Sequence, residues 1–241
     1  MRKLISFCLW GNKPKYTVGA LKNIDLAKTI YPDWECHFYI ANDVPTEFVE
    51  AISTRAVIHN INLPGGWRFA TERFRAIDLE VDYVIFRDTD SRLSMRERDA
   101  VTDWISSRKV LHIMKDHPHH HHPPKHPFPI LAGMWGLKKQ GFDKNMAKLL
   151  DSYTNTEQYH YDQIFLRDFI WKDLHKSALI HDAFPSTKSF RNKDFPTPRN
   201  PNEFVGQPFD ENDNYQLDQL EALSLATKIN INDKIRRIFR R

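Results

Sequence analysis

The segment FRDTDSR, residues 86–92, places two carboxylates and two guanidinium groups directly after a strongly apolar run. The apolar run favours a buried strand, and Asp88 and Asp90, two positions apart, then project from the same side of an extended backbone. Such a pair can share one divalent cation, while Arg87 and Arg92 could bind phosphate oxygens in bidentate hydrogen bonds. The segment therefore favours a metal ion that carries a phosphorylated ligand; the alternative is a solvated charged turn.

The elements that must position this pair alternate along the first half of the chain. Apolar runs predict strands, and segments with apolar residues at near-helical spacing predict the helices between them. The predicted strands cover 3–9, 35–41, 56–61, 83–86 and 110–114, and the predicted helices cover 16–30, 45–53, 67–79 and 94–106. This alternation predicts a mostly parallel, doubly wound α/β sheet. Ligands bind such sheets at the carboxyl ends of the strands, where the two aspartates lie.

The second half of the chain is less regular and includes a loop-rich region over residues 185–214. Its predicted elements are strands over 130–137 and 178–180 and helices over 143–152, 161–169 and 217–226. The segment 116–129 is rich in His and Pro. Because proline fixes φ and supplies no N–H, we expect an exposed loop there.

The bulk composition fits one α/β domain. A chain of 241 residues, of which 41% are hydrophobic, can bury one substantial core, and no repeat or linker divides residues 1–241. The net charge of +4 is too weak to indicate a nucleic-acid partner.

Cys8 and Cys36 lie in apolar segments, so we expect buried free thiols and a reducing, cytoplasm-like compartment rather than disulfides or a cysteine zinc site.

The two ends of the chain lack the pattern of a membrane span. The apolar stretch after MRK is short and has no small-residue cleavage site, so it predicts a first strand rather than a signal peptide. The basic tail, residues 234–241, either docks on an anionic membrane surface or is a solvated helix end.

Three further residue sets could contact a nucleotide. Trp10 and Gly11 follow the first strand, where an aromatic ring can stack on a base and a glycine lets the backbone approach a ligand. Tyr16 is a weaker candidate for the same contact. Arg73, one helix before the aspartates, could reach a diphosphate across the edge of the sheet. The alternatives are core packing for Trp10 and a solvated helix position for Arg73.

Two candidate sets lie between residues 116 and 163. Asp116 and His117 end a predicted strand and could border an acceptor pocket, with the histidines after them as an adaptable rim rather than a metal site. Asp162 and Gln163 open an apolar helix, where capping is the alternative role of the aspartate.

The remaining candidates lie nearer the carboxyl terminus. His181 follows a short predicted strand and is a possible third metal ligand, with a structural role as its alternative. The backbone of Gly206 and Gln207, within EFVGQPFD, could hold phosphate oxygens.

In this order, the motifs resemble those of nucleotide-sugar glycosyltransferases of the GT-A fold. The resemblance rests on the Trp-Gly after the first strand, the helix with Arg73, VIFRDTDSR, LAGMWG, YDQIFL and EFVGQ, which together span most of residues 3–210. They are similar to bacterial and giant-virus proteins with RDxDSR, DHP and GGMWG segments, and more distantly to glycosyltransferase family 8. The resemblance implies a single GT-A domain whose mostly parallel central sheet is flanked by helices.

The resemblance also implies roles for individual residues. Asp88 and Asp90 match the metal-binding Asp-x-Asp, and Arg73 falls at a basic donor contact. The segment LAGMWG, with Gly133 and Trp135, matches the turn that lines the sugar and the acceptor. The Asp-Gln of YDQIFL, residues 162 and 163, matches the pair beside the reacting sugar carbon.

The carboxyl-terminal motif departs from the family pattern. Glu203 stands where family 8 has a metal-binding histidine three residues before a glycine. We therefore take His181 as the third metal ligand and Glu203 as its alternative. The lysine of the family's Lys-Pro-Trp is also absent, since Gln207 is followed by Pro208 and Phe209.

The function implied is transfer of a sugar from a nucleoside diphosphate, most readily UDP, to a glycan or protein acceptor with Mn²⁺ or Mg²⁺. The motif order is that of retaining enzymes, in which the leaving phosphate takes the acceptor proton. An inverting enzyme would need a carboxylate base, for which Asp162 or Asp116 is available. A sugar-phosphate nucleotidyltransferase and a non-catalytic nucleotide-sugar-binding module are the alternative functions.

Overall fold

Apolar runs of the sequence form the strands of one mixed sheet. The structure is a computed structural model that describes residues 1–121, 128–154, 157–184 and 192–238, with side chains described up to residue 228. The sheet has eight strands within these ranges. They are β1 Lys3–Leu9, β2 Glu35–Ala41, β3 Val57–Ile61, β4 Tyr83–Phe86, β5 Leu111–Lys115, β6 Trp135–Lys138, β7 Ala178–Asp182 and β8 Asn192–Lys193.

The strand order is β3-β2-β1-β4-β6-β5-β7-β8. All neighbours run parallel except β6, which lies antiparallel between β4 and β5. The predicted mostly parallel α/β sheet is therefore confirmed. Because Ser6 of β1 pairs with Phe86 of β4, the residues after these two strands share one edge of the sheet.

Helices cover both faces of the sheet. They are α1 Pro14–Ile30, α2 Thr46–Ser53, α3 Met95–Ser106, α4 Met146–Ser152, α5 Tyr161–Phe165, α6 Lys172–Leu174 and α7 Leu217–Ile238. Ser94 caps α3, since its hydroxyl accepts from the Glu97 N–H at 3.3 Å.

Three local elements differ from the sequence prediction. Residues Arg68–Asp78, expected to be α-helical, form a tighter 3-10 helix, which is unusually long for that geometry. The helix expected to end at residue 169 changes into a π-helix over Leu166–Trp171. The strand expected from residue 130 begins only at Trp135, because residues 131–134 form a turn closed by the Met134 N–H on the Leu131 carbonyl.

The alternation of side chains along β1 divides the core between the two faces. Ile5 and Phe7 pack in the cluster that includes α1 and α3, whereas Leu4 and Cys8 pack in the cluster that includes the 3-10 helix, α4 and α5. Cys8 and Cys36 are both free and buried, as predicted, and burial raises the pKa of each thiol to about 12.

Parts of three predicted segments lie outside the described residues. These are 122–127 of the His- and Pro-rich segment, 185–191 of the loop-rich region and 239–241 of the basic tail. Residues 118–120 form a short 3-10 turn, and residues 234–238 continue α7. None of the helices in the described part of the chain is long and apolar enough to cross a membrane.

Candidate active site

A cavity of about 200 Å³ opens beside the carboxyl ends of β1 and β4. Seven of the predicted site residues line it: Trp10, Tyr16, Arg73, Asp88, Asp90, Asp162 and Gln163. They come from five places in the chain, namely the ends of β1 and β4, the first turn of the helix Pro14–Ile30, the 3-10 helix and the start of α5. The fold therefore brings together residues that are up to 153 positions apart.

Arg73 joins two of the cavity's carboxylates. Its Nη1 donates to Asp88 Oδ1 at 2.5 Å and to the Arg87 carbonyl at 3.0 Å, and its Nη2 donates to Asp162 Oδ2 at 3.0 Å. The guanidinium is 2% exposed. The structure thus places Arg73 as a positioning residue between two acids, whereas the sequence predicted a contact to the donor diphosphate.

Helix α1 positions the backbone of the Asp-Thr-Asp turn. The Asn23 amide donates to the Thr89 carbonyl at 3.2 Å and to the Ser91 carbonyl at 2.8 Å, and its Oδ1 accepts from the Leu93 N–H at 3.1 Å. Gly19 lies so close that a Cβ there would stand 2.2 Å from the Thr89 carbonyl oxygen. The small residue at position 19 and the amide at position 23 therefore fix the position of the turn against α1.

The two aspartates repel one another inside the cavity. Burial, together with the charge of Asp88, raises the pKa of Asp90 above its ordinary value, and Lys15, whose Nζ lies 3.2 Å from Asp90 Oδ2, opposes this rise. Burial likewise raises the pKa of Asp162, against the opposing charge of Arg73. Three carboxylates face two cations here, so the site carries an excess of negative charge before any diphosphate enters.

This donor set fits a divalent cation. Carboxylate oxygens are the ligands that Mg²⁺ and Mn²⁺ prefer, and a cation would relieve the repulsion between Asp88 and Asp90. Asp162 is held in its ion pair with Arg73. In the part of the chain that the structure describes, no group of three or more His, Cys, Asp or Glu side chains could hold a metal.

The two arginines that flank the aspartates face away from the cavity. Arg87 is buried on the other side of the strand, where its Nε donates to Glu97 at 3.1 Å and its Nη1 donates to the Phe86 and Trp135 carbonyls. Arg92 donates to Asp213 and to backbone carbonyls of the turn. Neither arginine lines the cavity, and phosphate binding by this pair stays a prediction.

The turn before β6 adjoins Asp88, as the sequence predicted, but its tryptophan does not. A Cβ on Gly133 would lie 2.0 Å from Asp88 Oδ2, so a larger residue there would displace this carboxylate. Trp135 is fully buried and stacks on Phe86 with ring centroids 4.3 Å apart. Trp135 is therefore a core residue, and an acceptor contact for it is excluded by its burial.

Asp116 and His117 are also structural in this arrangement. The Asp116 carboxylate is fully buried and accepts from Arg96, Arg199 and the Val205 N–H. His117 Nε2 donates to the Gln219 carbonyl at 2.8 Å, and its Nδ1 accepts from the His119 N–H. Neither residue lines the cavity, which argues against acceptor binding by this pair.

The predicted third metal ligands lie elsewhere. His181 is fully buried, with Nδ1 2.8 Å from His112 Nε2 and Nε2 3.1 Å from Asp103 Oδ2, so both ring nitrogens are occupied. Glu203 accepts from Asn200 and borders a separate groove. The structure brings neither side chain to Asp88 and Asp90.

The glycine-containing loops contribute through the backbone but do not line the cavity. Gly11 adopts φ 67°, and its N–H donates to Asp43. Gly206 adopts φ 82° and packs against the Met134 side chain. Gln207 is buried, and its side-chain amide donates to the Asn202 carbonyl. Two residues later the Phe209 N–H donates to the Asp90 carbonyl at 2.8 Å, so this loop holds the backbone of the Asp-Thr-Asp turn.

Four residues at or beside the cavity that could contact a ligand were missed from the sequence. Lys15 lies beside the cavity and reaches Asp90, and Trp67, Tyr159 and His160 line the cavity. Lys15 carried a signal, because it stands in the loop after the first strand, at the start of α1. The other three carried none, since their positions depend on contacts between the segments before the 3-10 helix and before α5.

Comparison with known proteins identifies the fold. No protein-family model matches the chain, and no curated protein matches its sequence. The galactosyltransferase LgtC, solved in complex with donor and acceptor sugar analogs, matches 74% of this chain and 73% of its own at 14% identity and a TM-score of 0.50. TarS 1-349 of S. aureus matches 80% of this chain at 12% identity and a TM-score of 0.50, and the match spans 60% of that chain. The chain therefore has the GT-A glycosyltransferase fold that the motifs predicted.

Proposed function

We propose that this protein is a metal-dependent glycosyltransferase that moves a sugar from a UDP-sugar to a glycan or protein acceptor. The observation that carries the proposal is the convergence of Asp88, Asp90 and Asp162 around Arg73 in a cavity lined with aromatic residues. The cavity lies at the carboxyl ends of the strands of a GT-A sheet, the edge at which open α/β sheets bind ligands. The galactosyltransferase of similar fold was solved with donor and acceptor sugar analogs, which supports the same substrate class here.

Asp88 and Asp90 are the residues that would hold the cation. A bound divalent ion supplies neutralising charge for the diphosphate. Lys15, whose side chain is 38% exposed beside Asp90, adds a second cation within reach of phosphate oxygens. Trp10 and Tyr16, whose rings stack 6.3 Å apart, offer a face for the nucleobase.

Asp162 and Gln163 stand beside the sugar that is transferred. In the retaining course that we propose, the bond from the anomeric carbon to the diphosphate oxygen breaks, and a bond to the acceptor oxygen forms on the same face. The acceptor proton moves to the departing diphosphate oxygen. Arg73 fixes Asp162 at 3.0 Å, so this carboxylate keeps one orientation while the positive charge develops at the sugar.

The test is release of UDP in the presence of acceptor. We would incubate the protein with UDP-glucose, UDP-galactose and GDP-mannose, with Mn²⁺, with Mg²⁺ and with chelator, and detect the free nucleotide. Asp88→Asn and Asp90→Asn are each expected to lower the rate at least 100-fold and to weaken metal-dependent binding of UDP. Asp168→Asn, which alters an exposed pair with Arg167, is the matched control and should leave both unchanged.

Other outcomes point to the alternative functions. Release of pyrophosphate from a nucleoside triphosphate and a sugar phosphate would identify a nucleotidyltransferase. Binding of UDP-sugar that survives Asp88→Asn, with no turnover, would identify a binding module. For an active enzyme, NMR of the product's anomeric configuration decides the course, and an inverted product would overturn the retaining proposal.

A further inference from the structure

Two large aromatic side chains stand exposed at the mouth of the cavity. Trp67 is 47% exposed and Tyr159 is 64% exposed, and both line the cavity. Their ring centroids are 5.0 Å apart at an interplanar angle of 77°. We call this pair the aromatic rim. Exposed aromatic surface beside a polar cavity is typical of a surface that a ligand covers.

The aromatic rim is held in place by polar contacts of its own. Trp67 and Tyr159 come from segments more than 90 positions apart in the chain. Glu157 joins the two segments, because its Oε1 accepts from the Arg68 N–H at 3.2 Å. Gly66 packs against the same carboxylate, and a Cβ there would lie 2.2 Å from Oε1. These contacts fix the two segments relative to one another, so the fold determines where the two rings lie.

The rim leads directly to the reacting end of the cavity. The Tyr159 ring packs on His160 with centroids 3.9 Å apart, and His160 Nδ1 lies 3.0 Å from Gln163 Nε2. Gln163 Oε1 has no hydrogen-bond partner among the described residues. Next to it stands Asp162, so the rim adjoins the two residues proposed to flank the transferred sugar.

The nucleobase has a separate aromatic site. Trp10 stacks with Tyr16 and contacts Phe69, at the end of β1 and beside the Asp-Thr-Asp turn. A second, more exposed aromatic surface next to Asp162 and Gln163 therefore suits the other substrate. Among acceptor chemistries, a pyranose ring with an apolar C–H face is the one that packs flat on such rings while its hydroxyls remain free to form hydrogen bonds.

We propose that Trp67 and Tyr159 form the acceptor subsite and that the acceptor is a carbohydrate whose pyranose ring packs on this rim. The inference rests on the proposed transferase function and narrows its acceptor from glycan or protein to a sugar with an apolar ring face, such as a β-glucoside or β-galactoside.

The test measures binding without turnover. Lactose, cellobiose, methyl β-glucopyranoside and methyl β-galactopyranoside would be titrated against the full chain saturated with UDP and Mn²⁺, followed by ligand-observed NMR. Mannitol, a polyol without a ring, is the control ligand. We expect at least one of these sugars to bind, and Trp67→Ala and Tyr159→Ala each to weaken that binding about tenfold. Trp67→Phe and Tyr159→Phe should retain most of it.

Tyr215→Ala is the matched protein control. Tyr215 is an aromatic side chain of similar exposure, 42%, that borders a different groove, so its loss should leave sugar binding unchanged. Calorimetric titration with UDP and Mn²⁺ should give the wild-type affinity for both alanine variants of the rim, and a weaker affinity for Trp10→Ala.

The outcomes separate this inference from the proposed function. If UDP and Mn²⁺ do not bind the wild-type chain, the proposed function fails. If UDP binds but none of the four sugars does, or the rim variants bind them as well as wild type, the acceptor subsite is overturned. Loss of UDP affinity in the rim variants, with sugar binding retained, would assign the rim to the nucleobase. That result would also overturn the acceptor subsite.

Discussion

Arg73 is the residue on which the geometry of the cavity depends most. Its guanidinium is buried, and its two terminal nitrogens hold Asp88 and Asp162. Because the fork of a guanidinium spans two acceptors, no other side chain can hold both carboxylates in this way. The two acids are therefore coupled, and displacement of one is felt by the other.

Arg73→Lys should weaken both the fold and the activity. A lysine keeps the charge but can hold only one of the two carboxylates, so either the buried Asp162 or the half-exposed Asp88 loses its partner. We expect the free energy of unfolding in urea to fall by about 1–3 kcal/mol and UDP release to fall at least 100-fold.

Arg75→Lys is the control for this substitution. Arg75 lies on the same 3-10 helix but pairs with the buried Glu72 and the exposed Asp151. Because neither partner lines the cavity, this variant should keep its activity. If Arg73→Lys behaved like Arg75→Lys, the coupling of the two carboxylates through Arg73 would be wrong.

At the scale of elements, α1 and the Asp-Thr-Asp turn form one unit. Gly19→Ala reverses the usual effect of such a change in a helix, where alanine is favoured by about 1 kcal/mol. Here the new Cβ would stand 2.2 Å from the Thr89 carbonyl oxygen. We expect the turn to shift, the stability to fall by about 1–3 kcal/mol, and the affinity for Mn²⁺ in the presence of UDP to fall with it.

Thr29→Ala provides the comparison on the same helix. Thr29 is exposed on α1, so its replacement changes helix propensity alone and should be neutral or slightly stabilising. Thermal unfolding and calorimetric titration of both variants measure the two effects. A stabilised Gly19→Ala variant with full metal affinity would contradict the close contact.

Much of the framework could be predicted from local patterns. The apolar runs of β1, β2 and β4 fall where the sequence placed them, because strands buried on both faces are continuous apolar segments. Alternation past Phe86 turns Arg87 to the face opposite Asp88, so its buried position could have been predicted. Residues 88–91 form a turn closed by the Ser91 N–H on the Asp88 carbonyl, so the extended backbone expected for the two aspartates is not present.

The errors at Asp116 and Trp135 have another cause. Asp116 is paired with Arg96 and with Arg199, which lies 83 positions away, and no local pattern reveals such a partner. Trp135 follows a turn and enters β6, whose antiparallel insertion between β4 and β5 also depends on distant pairing. Burial of these residues could be learned only from the assembled sheet.

At the scale of the whole molecule, a buried histidine pair makes stability depend on pH. Burial lowers the pKa of His181 to about 4 and that of His112 well below its ordinary value, and each also lies near other positive charge. In the unfolded chain a histidine titrates near 6.5. Below that pH the unfolded state binds more protons than the folded state, so stability falls as the pH falls.

Urea unfolding between pH 7 and pH 5 measures this dependence. We expect a loss of roughly 2 kcal/mol from His181 over this range, and a flatter dependence in His181→Gln. His175→Gln, at a partly exposed position on the carboxyl-terminal side of α6, serves as the control and should keep the wild-type slope. An unchanged slope in His181→Gln would show that this pair does not determine the acid sensitivity.

The insertion of β6 has a consequence for how the protein is made. As the chain leaves the ribosome, β1 to β4 can pair before the rest exists, but the second edge of β4 stays open until residues 135–138 arrive. Asp88 lacks its glycine neighbour until residue 133, and Arg73 lacks its second carboxylate until residue 162. A nascent or truncated chain therefore cannot assemble the cavity and presents an unpaired hydrophobic strand, which favours aggregation. Competence to bind its ligands should appear late and all at once during synthesis.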